Sequence, residues 1–318
     1  MILTYRIESG QLARCDRDTA SMFVYYQPSD TEKEDLLRMS ALEPLDLEAV
    51  FDPDEVPRIE SYQNGTFLIW KHPENIVVEE AVQFQVSSIG IVIMDNRAII
   101  IVPRGELPMT GREFKRVESV EDCVLRVLLQ TIHHYQGHLK AIKQMSQELQ
   151  ARIVTSMENR FLLQMFALGE SLVYYHNALE ANLTVLLKLR STPGRWALTE
   201  EQLSFLDDVI IENQQANKQA GIYSTVLSGL MDARGTIINN NMNVLMKNLT
   251  IINVVFLPLN LIASIGGMSE YSVVTQGIDW RISYGLLFVA MVLLGWAMWW
   301  WLARVIERNQ RKIGQETA

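Results

Sequence analysis

Residues 249–272 read LTIINVVFLPLNLIASIGGMSEYS, and this stretch decides the architecture. Its first 20 positions, 249–268, hold no charged residue, and neither do the 21 positions 282–302. A helix needs roughly 20 apolar residues to cross a bilayer. Each stretch is therefore long enough to span; the competing reading is a pair of buried core helices. Trp280 precedes the second stretch, and Trp296, Trp299, Trp300 and Trp301 close it. Aromatic residues at both ends are the pattern of a membrane–water interface.

The basic residues orient the spans. Arg304, Arg308, Arg311 and Lys312 follow the second span, whereas the connection carries only Arg281, beside Glu270 and Asp279. The positive-inside bias puts the C-terminus in the cytoplasm, and two crossings put the N-terminal 248 residues there too. The expected location is an inner (cytoplasmic) membrane with both termini cytoplasmic. The opening MILTYRIESG lacks the basic start and apolar run of a signal peptide. Two cysteines, Cys15 and Cys123, suggest neither a disulfide framework nor a thiolate metal site. A net charge of −9 argues against nucleic acid as a partner. It suits a protein that gathers cations, or one that merely keeps its soluble part in solution.

Upstream, residues 1–118 mix strand and helix signals. SMFVYY, GTFLIW, SSIGIVIM and RAIIIVP are short β-branched or aromatic runs bounded by turn residues. IMDNRAIII reads as a hairpin around Asp95 and Asn96. TEKEDLLRMS and DLEAVF read as short helices, so this part is a compact α/β domain. Helical periodicity then covers 118–153 and 158–189, and Pro193 and Gly194 break it. Thr199 and Gln202 offer a capping box. No proline follows until Pro258, so one helix should run from Thr199 to about 265. At ~1.5 Å per residue that helix is about 100 Å long. The expected division is 1–118 α/β, 119–248 helical and stalk region, 249–268 first span, 269–281 external loop, 282–302 second span and 303–318 basic tail.

At 100° per residue, with Asn253 at zero, Asn260 falls at about −20°, and Met246 and Ser264 at about +20°. Leu257 and Asn239 fall at about +40°, Asp232 and Thr250 at about +60°, and Asn243 at about +80°. Lipid would leave these amides unsatisfied, so they should face protein or water. Interhelical amide glue is one reading. A ring of helices around a water-filled pore is the other, favoured by a stripe that runs on for some 30 residues and reaches a carboxylate. Amide and hydroxyl oxygens are neutral acceptors that can bond a cation's water without trapping the ion, which suits Mg²⁺. Met246, Leu249 and Leu257 would narrow the cytoplasmic half as a dewetting gate.

The stretch NNNMNVLMKNLTIINVVFLPLNLIASIGGM, residues 239–268, closely resembles the pore helix of the CorA metal-ion transporters. The matching positions are Asn243, Met246, Lys247, Leu249, Thr250, Pro258, Ile262, Ala263, Ile265, Gly267 and Met268. ALEPLDLEAVFDPDEVPRIESYQNGTFLIW, residues 41–70, resembles the family's cytoplasmic segment, so the likeness covers essentially the whole chain. It implies a funnel-shaped homopentamer in a lipid bilayer, with a pore-lining stalk helix and an outer second span. It implies transport of divalent cations, mostly Mg²⁺, with Co²⁺ or Ni²⁺ in some members and Zn²⁺ in the ZntB branch. No cofactor beyond a transported or regulatory cation is implied. By this likeness Asp232 matches an acidic ring at the cytoplasmic mouth, and Asp208 a carboxylate where cytosolic Mg²⁺ is sensed between subunits. The alternative for Asp208 is a solvated helix face.

The chain departs from the family's Gly-Met-Asn signature, having Gly267, Met268 and Ser269, with Gly266 where a tyrosine is usual. Two adjacent glycines would let the chain turn sharply there. Two other readings stay open: ZntB-like Zn²⁺ movement, proton-linked or not, and a membrane metal sensor without transport. His134 and His138 have a spacing that can hold Zn²⁺. Nothing in register completes such a site, and a polar helix face is the simpler reading. No phosphate loop, nucleophile elbow or catalytic metal motif suggests an enzyme.

Overall fold

The computed structural model describes residues 1–316 except 41, 63–64, 75–76, 79–81, 95, 106, 156–158, 192–195 and 197. The expected helix break at Pro193 and Gly194 lies outside the described residues. The chain divides into two compact units, Met1–Asp232 and Ala233–Ala318.

The first unit is built on a seven-stranded sheet in the order β2-β1-β3-β9-β8-β5-β4. The strands are β1 (Ile2–Glu8), β2 (Gln11–Arg14), β3 (Met22–Tyr26), β4 (Arg58–Tyr62), β5 (Gly65–Pro73), β8 (Val86–Met94) and β9 (Arg97–Val102). The short β6 (Val77–Val78) and β7 (Val82–Gln83) pair with each other. All neighbours in the large sheet are antiparallel except β3 and β9, which run parallel. The four strands expected from β-branched runs are all present. The β8–β9 hairpin places Met94 opposite Arg97; of its two turn residues, Asp95 lies outside the described residues. The strands β1, β2 and β4 were not expected. Ser9 and Gly10, both with positive φ, turn β1 into β2 between the paired Glu8 and Gln11. That is the two-residue hairpin whose twist matches the flanking strands.

Alternation along the strands makes two cores, because successive side chains point to opposite faces. Phe23, Tyr25, Phe67, Ile69, Ile99 and Ile101 meet Leu36, Leu47 and Val50 of α1 (Asp30–Ser40) and α2 (Pro44–Phe51). Val24, Leu68, Trp70, Ile89, Ile91 and Ile100 meet α3 (Val120–Thr155), α4 (Asn159–Ser191) and the start of α5 (Glu200–Gly266). The sheet is thus sandwiched between helices, which is the α/β class expected. Trp70 is fully buried, and its indole N–H donates to Thr131 Oγ1 at 2.8 Å. The capping box forms as expected: Gln202 N–H donates to Thr199 Oγ1 and Thr199 N–H to Gln202 Oε1.

One polar side chain docks α4 on the sheet edge. The ladder between β4 and β5 ends where Arg58 faces Ile69, which leaves the next outward-facing backbone groups of β5 without a strand partner. Asn182, fully buried on α4, takes that place. Its Oδ1 accepts from Lys71 N–H at 3.0 Å and its Nδ2 donates to Lys71 C=O at 2.8 Å.

The histidines depart from the expected polar face. His133 is exposed and pairs with Glu113 at 3.1 Å, but His134 is half-buried and His138 buried. The His134 and His138 rings lie 4.4 Å apart, and His138 Nδ1 is 2.5 Å from Tyr175 Oη. His72, 1% exposed, bonds Ser87 Oγ through Nε2 at 2.7 Å. Burial, reinforced by His134, pushes both His72 and His138 down to about 4.

Two predictions follow from these contacts. Replacing Asn182 by alanine orphans two buried backbone groups at about 1–3 kcal/mol each, so the denaturant midpoint should fall well below wild type. An unchanged midpoint would show that Lys71 finds other partners. For the histidines, an unfolded His72 takes up a proton near 6.5, whereas the folded one stays neutral down to about 4. The unfolded chain therefore binds more protons in that window. Stability is fully present above pH 6.5 and declines as pH falls toward 4, by up to about 3 kcal/mol from His72. Denaturation midpoints measured from pH 8 to 4 should follow that course and flatten in His72→Gln.

Candidate ion pathway

The second unit consists of the remainder of α5, the short α6 (Ser269–Val274) and α7 (Trp280–Glu316). Two segments are long and apolar enough to cross a membrane, one within Glu200–Gly266 and the other Trp280–Leu302, and almost none of either is buried within the chain. Apolar helices of this length that stay exposed do not fit the core of a water-soluble fold, because little among the described residues covers them. Arg304 lies over the Trp300 ring at 3.5 Å and Arg281 over Trp280 at 5.5 Å. An aromatic ring with a cation on its face stands at each end of the second span, as interfacial anchors do.

The helix α5 is continuous through Pro258, as the absence of earlier breakers predicted. Proline has no N–H, so the Val254 carbonyl loses its helical donor there. The polar arc survives in three dimensions as one face of a regular helix. From Asn239 to Ser264 it extends over ~38 Å. Asn239, Asn243, Asn253, Asn260 and Ser264 are all exposed. Met246, Leu249 and Leu257, on the same face, are 59%, 55% and 67% exposed. Among the described residues the four asparagine side chains make no hydrogen bond within the chain. Thr250 differs: its hydroxyl donates to the Met246 carbonyl of its own helix at 2.8 Å.

The two acidic residues singled out in the sequence both lie on the part of α5 in the first unit. Asp232 is the last residue of that unit and is exposed. Asp208 is exposed as well, and the ion pair in its neighbourhood belongs to Asp207, which meets Arg190 at 2.7 and 3.2 Å. No group of three or more His, Cys, Asp or Glu side chains that could hold a metal ion occurs among the described residues.

At the far end of α5, positive φ among the described glycines is confined to Gly10, Gly105 and Gly111. The expectation that Gly266 and Gly267 supply backbone freedom for the turn is thereby corrected. The chain leaves the helix with Gly267 N–H donating to Ala263 O and Met268 N–H to Ile265 O, and Met268 is extended. Gly266 is needed for proximity instead: a Cβ there would lie 2.6 Å from Leu287 Cδ2, so Leu287 would have to move. About two turns further down, Gly295 of α7 faces Leu259 of α5. Small residues at such crossings let two helices approach closely.

A tyrosine pair closes the turn, and sequence reasoning missed it. Tyr284 of α7 donates its hydroxyl to the Gly266 carbonyl at 3.2 Å. Tyr271 of α6 donates to the Ser283 carbonyl at 3.2 Å, and Ser283 Oγ donates to Tyr271 Oη at 3.0 Å. The two tyrosine rings meet edge to face at 5.6 Å. No local pattern signals this cluster, because it depends on which residues of α7 come to lie beside the turn. Asp279 caps α7, its Oδ1 accepting from Arg281 N–H at 3.0 Å. Ser269 Oγ lies 3.3 Å from Glu270 Oε2, both exposed.

Comparison with known proteins agrees with this layout. The "Cobalt/magnesium transport protein CorA" of Methanocaldococcus jannaschii is 25% identical over 256 residues, covering 77% of this chain and 78% of that protein. The protein of the same description from Thermotoga maritima is 25% identical over 260 residues, covering 79% and 72%. The complete structure of the M. jannaschii CorA magnesium transporter superposes with a TM-score of 0.77 at 21% identity, over 96% of this chain and 98% of that one. The family model described as "CorA-like Mg2+ transporter protein" matches residues 20–304. The chain belongs to the CorA-like Mg²⁺ transporter family, a family of membrane transporters and not of enzymes.

Proposed function

We propose that five copies of this chain assemble around the polar face of α5 and conduct divalent cations, Mg²⁺ first among them, down their electrochemical gradient. The observation that carries the reading is the row Asn253, Asn260 and Ser264, exposed within an apolar span. A lone helix in lipid would leave these groups unsatisfied, at several kcal/mol for each buried polar group. Identical helices turned toward a common axis give them water. Asn239 and Asn243 continue the row toward the cytoplasm, and Asp232 supplies a carboxylate at that mouth. Met246, Leu249 and Leu257 form the apolar constriction that opens and closes by wetting.

The chemistry of the row favours an ion that keeps its water. Mg²⁺ dehydrates reluctantly. Amide and hydroxyl groups bond its outer oxygens and protons without the charge that would hold it fast. The turn Gly267, Met268 and Ser269 forms the outer mouth, where the Ser269 hydroxyl and the neighbouring Glu270 carboxylate meet the arriving ion. On the cytoplasmic side Asp208, on α5, takes part in sensing Mg²⁺ between neighbouring subunits. Its exposure and its lack of an ion pair among the described residues fit a ligand completed by a second chain.

In topology the α/β domain of residues 1–118 and the helical region 119–248 lie in the cytoplasm. Spans 249–268 and 282–302 then flank the external loop 269–281, and the basic tail 303–318 returns to the cytoplasm. The distribution of Arg and Lys supports this orientation in an inner membrane.

Purified protein in liposomes loaded with ion-sensitive dyes should pass Mg²⁺, and also Co²⁺ or Ni²⁺. Absence of flux for every ion would defeat the transporter reading and leave a metal sensor. Zn²⁺ flux that follows a proton gradient, without Mg²⁺ flux, would favour ZntB-like movement. Asn253→Leu and Asn260→Leu should each lower Mg²⁺ flux about tenfold or more, the effect of roughly 1.4 kcal/mol on the barrier, while the assembly keeps its size. Variants that instead dissociate would show the amides to be interhelical glue.

A further inference from the structure

The turn at the end of α5 is held by its own backbone bonds and, in addition, from α7. The helix stops at Gly266, and Gly267 and Met268 close it with ordinary negative φ. What fixes the turn against α7 is one hydroxyl on the last helical carbonyl, Tyr284 Oη to Gly266 O. Around that bond the packing is tight. Gly266 is buried against Leu287, Ser283 is 7% exposed, and Tyr271 leans edge-on against Tyr284 while bonding Ser283 twice. Each member touches the next, so α6, the end of α5 and the start of α7 are linked by one set of contacts.

We propose that Tyr284, braced by Tyr271 and Ser283, is the positioning residue that sets the height and tilt of the Gly267-Met268-Ser269 turn, and thereby the apparent affinity for the cation arriving at the outer mouth. The inference rests on the transport reading above. Three features of the site support it. The bond acts on the carbonyl immediately before the turn, so a shift there is passed directly to Ser269. The serine hydroxyl is short and has little reach to correct a misplaced backbone. The Tyr271 and Tyr284 rings meet edge to face at 5.6 Å, and Tyr271 bonds Ser283 twice, so the hydroxyls belong to one braced unit.

The test uses the full chain in liposomes, measuring Mg²⁺ uptake against external Mg²⁺ for wild type, Tyr284→Phe, Tyr271→Phe and the double variant. Phenylalanine keeps the ring packing and removes only the hydroxyl. The expected result is a KM for Mg²⁺ raised about two- to tenfold in Tyr284→Phe, the range open to one hydrogen bond. Maximal flux should stay within about twofold of wild type. The double variant should rise less than the product of the two singles, since the groups act through one network. A purely structural role would lower the amount of assembled protein and the maximal flux together, leaving KM in place. Ser283→Ala, which removes one of the two bonds on Tyr271, should raise KM by less and serves if either tyrosine variant fails to assemble. A conducting wild type whose KM is matched by every variant overturns this inference alone. A wild type that carries no divalent cation overturns the transport reading, and this inference with it.

Discussion

Hydrocarbon offers an amide no partner, and that constraint governs everything about the second unit. Asn253 and Asn260 sit in a span with no charged residue, on a face that stays exposed when the chain stands alone. The second span offers them no relief, since it packs at Gly266 and around Leu259, positions off the polar arc. The two kinds of surface differ in what they need: the apolar ones suit lipid, and the polar face needs protein or water. A sequence that places small residues where α5 meets α7, and amides elsewhere, has separated its packing face from its polar face.

The first unit obeys a different rule. There the sheet is covered on both sides, and the expense of burying polar backbone is met locally. Asn182 completes the edge of β5 where β4 has ended, and Thr131 answers the Trp70 indole. Histidines in the same interior are held neutral by burial. Such groups tie the domain's stability to pH, since the folded state keeps His72 and His138 neutral where the unfolded chain would take up protons.

Much of this was legible in the residues because it rests on periodicity and on composition. Apolar runs without charge mark the spans, the 3.6-residue repeat marks the helices, and the lack of proline before Pro258 correctly predicts an unbroken α5. The capping box at Thr199 is a local motif and forms as such. The strands β1, β2 and β4 escaped notice for physical reasons. Their sequences ILTYRIE, QLAR and RIESY carry charges on faces that remain half-exposed at or next to the sheet's edges, so no clean apolar run appears. The Ser9-Gly10 turn was the available signal, since a two-residue loop containing glycine between alternating segments marks a hairpin. The histidines misled in the opposite direction. Their i, i+4 spacing suggests one face of a helix, but which face is buried depends on what packs against it, and Phe84 and Tyr175 come from elsewhere in the chain.

The two glycines at the end of α5 show where local reading must stop. From sequence alone a Gly-Gly pair at a helix end suggests a need for positive φ, since that is what glycine alone tolerates. Glycine has a second property, the absence of a side chain, and only tertiary structure tells which property is in use. Here neither glycine has positive φ, and Gly266 makes room for Leu287 and lets Tyr284 reach the backbone. A larger residue at 266 would require Leu287 to shift. The last helical carbonyl before the turn is thus bonded by a side chain 18 residues further on. The surroundings of the turn thus include the packing of two helices as well as its own three residues.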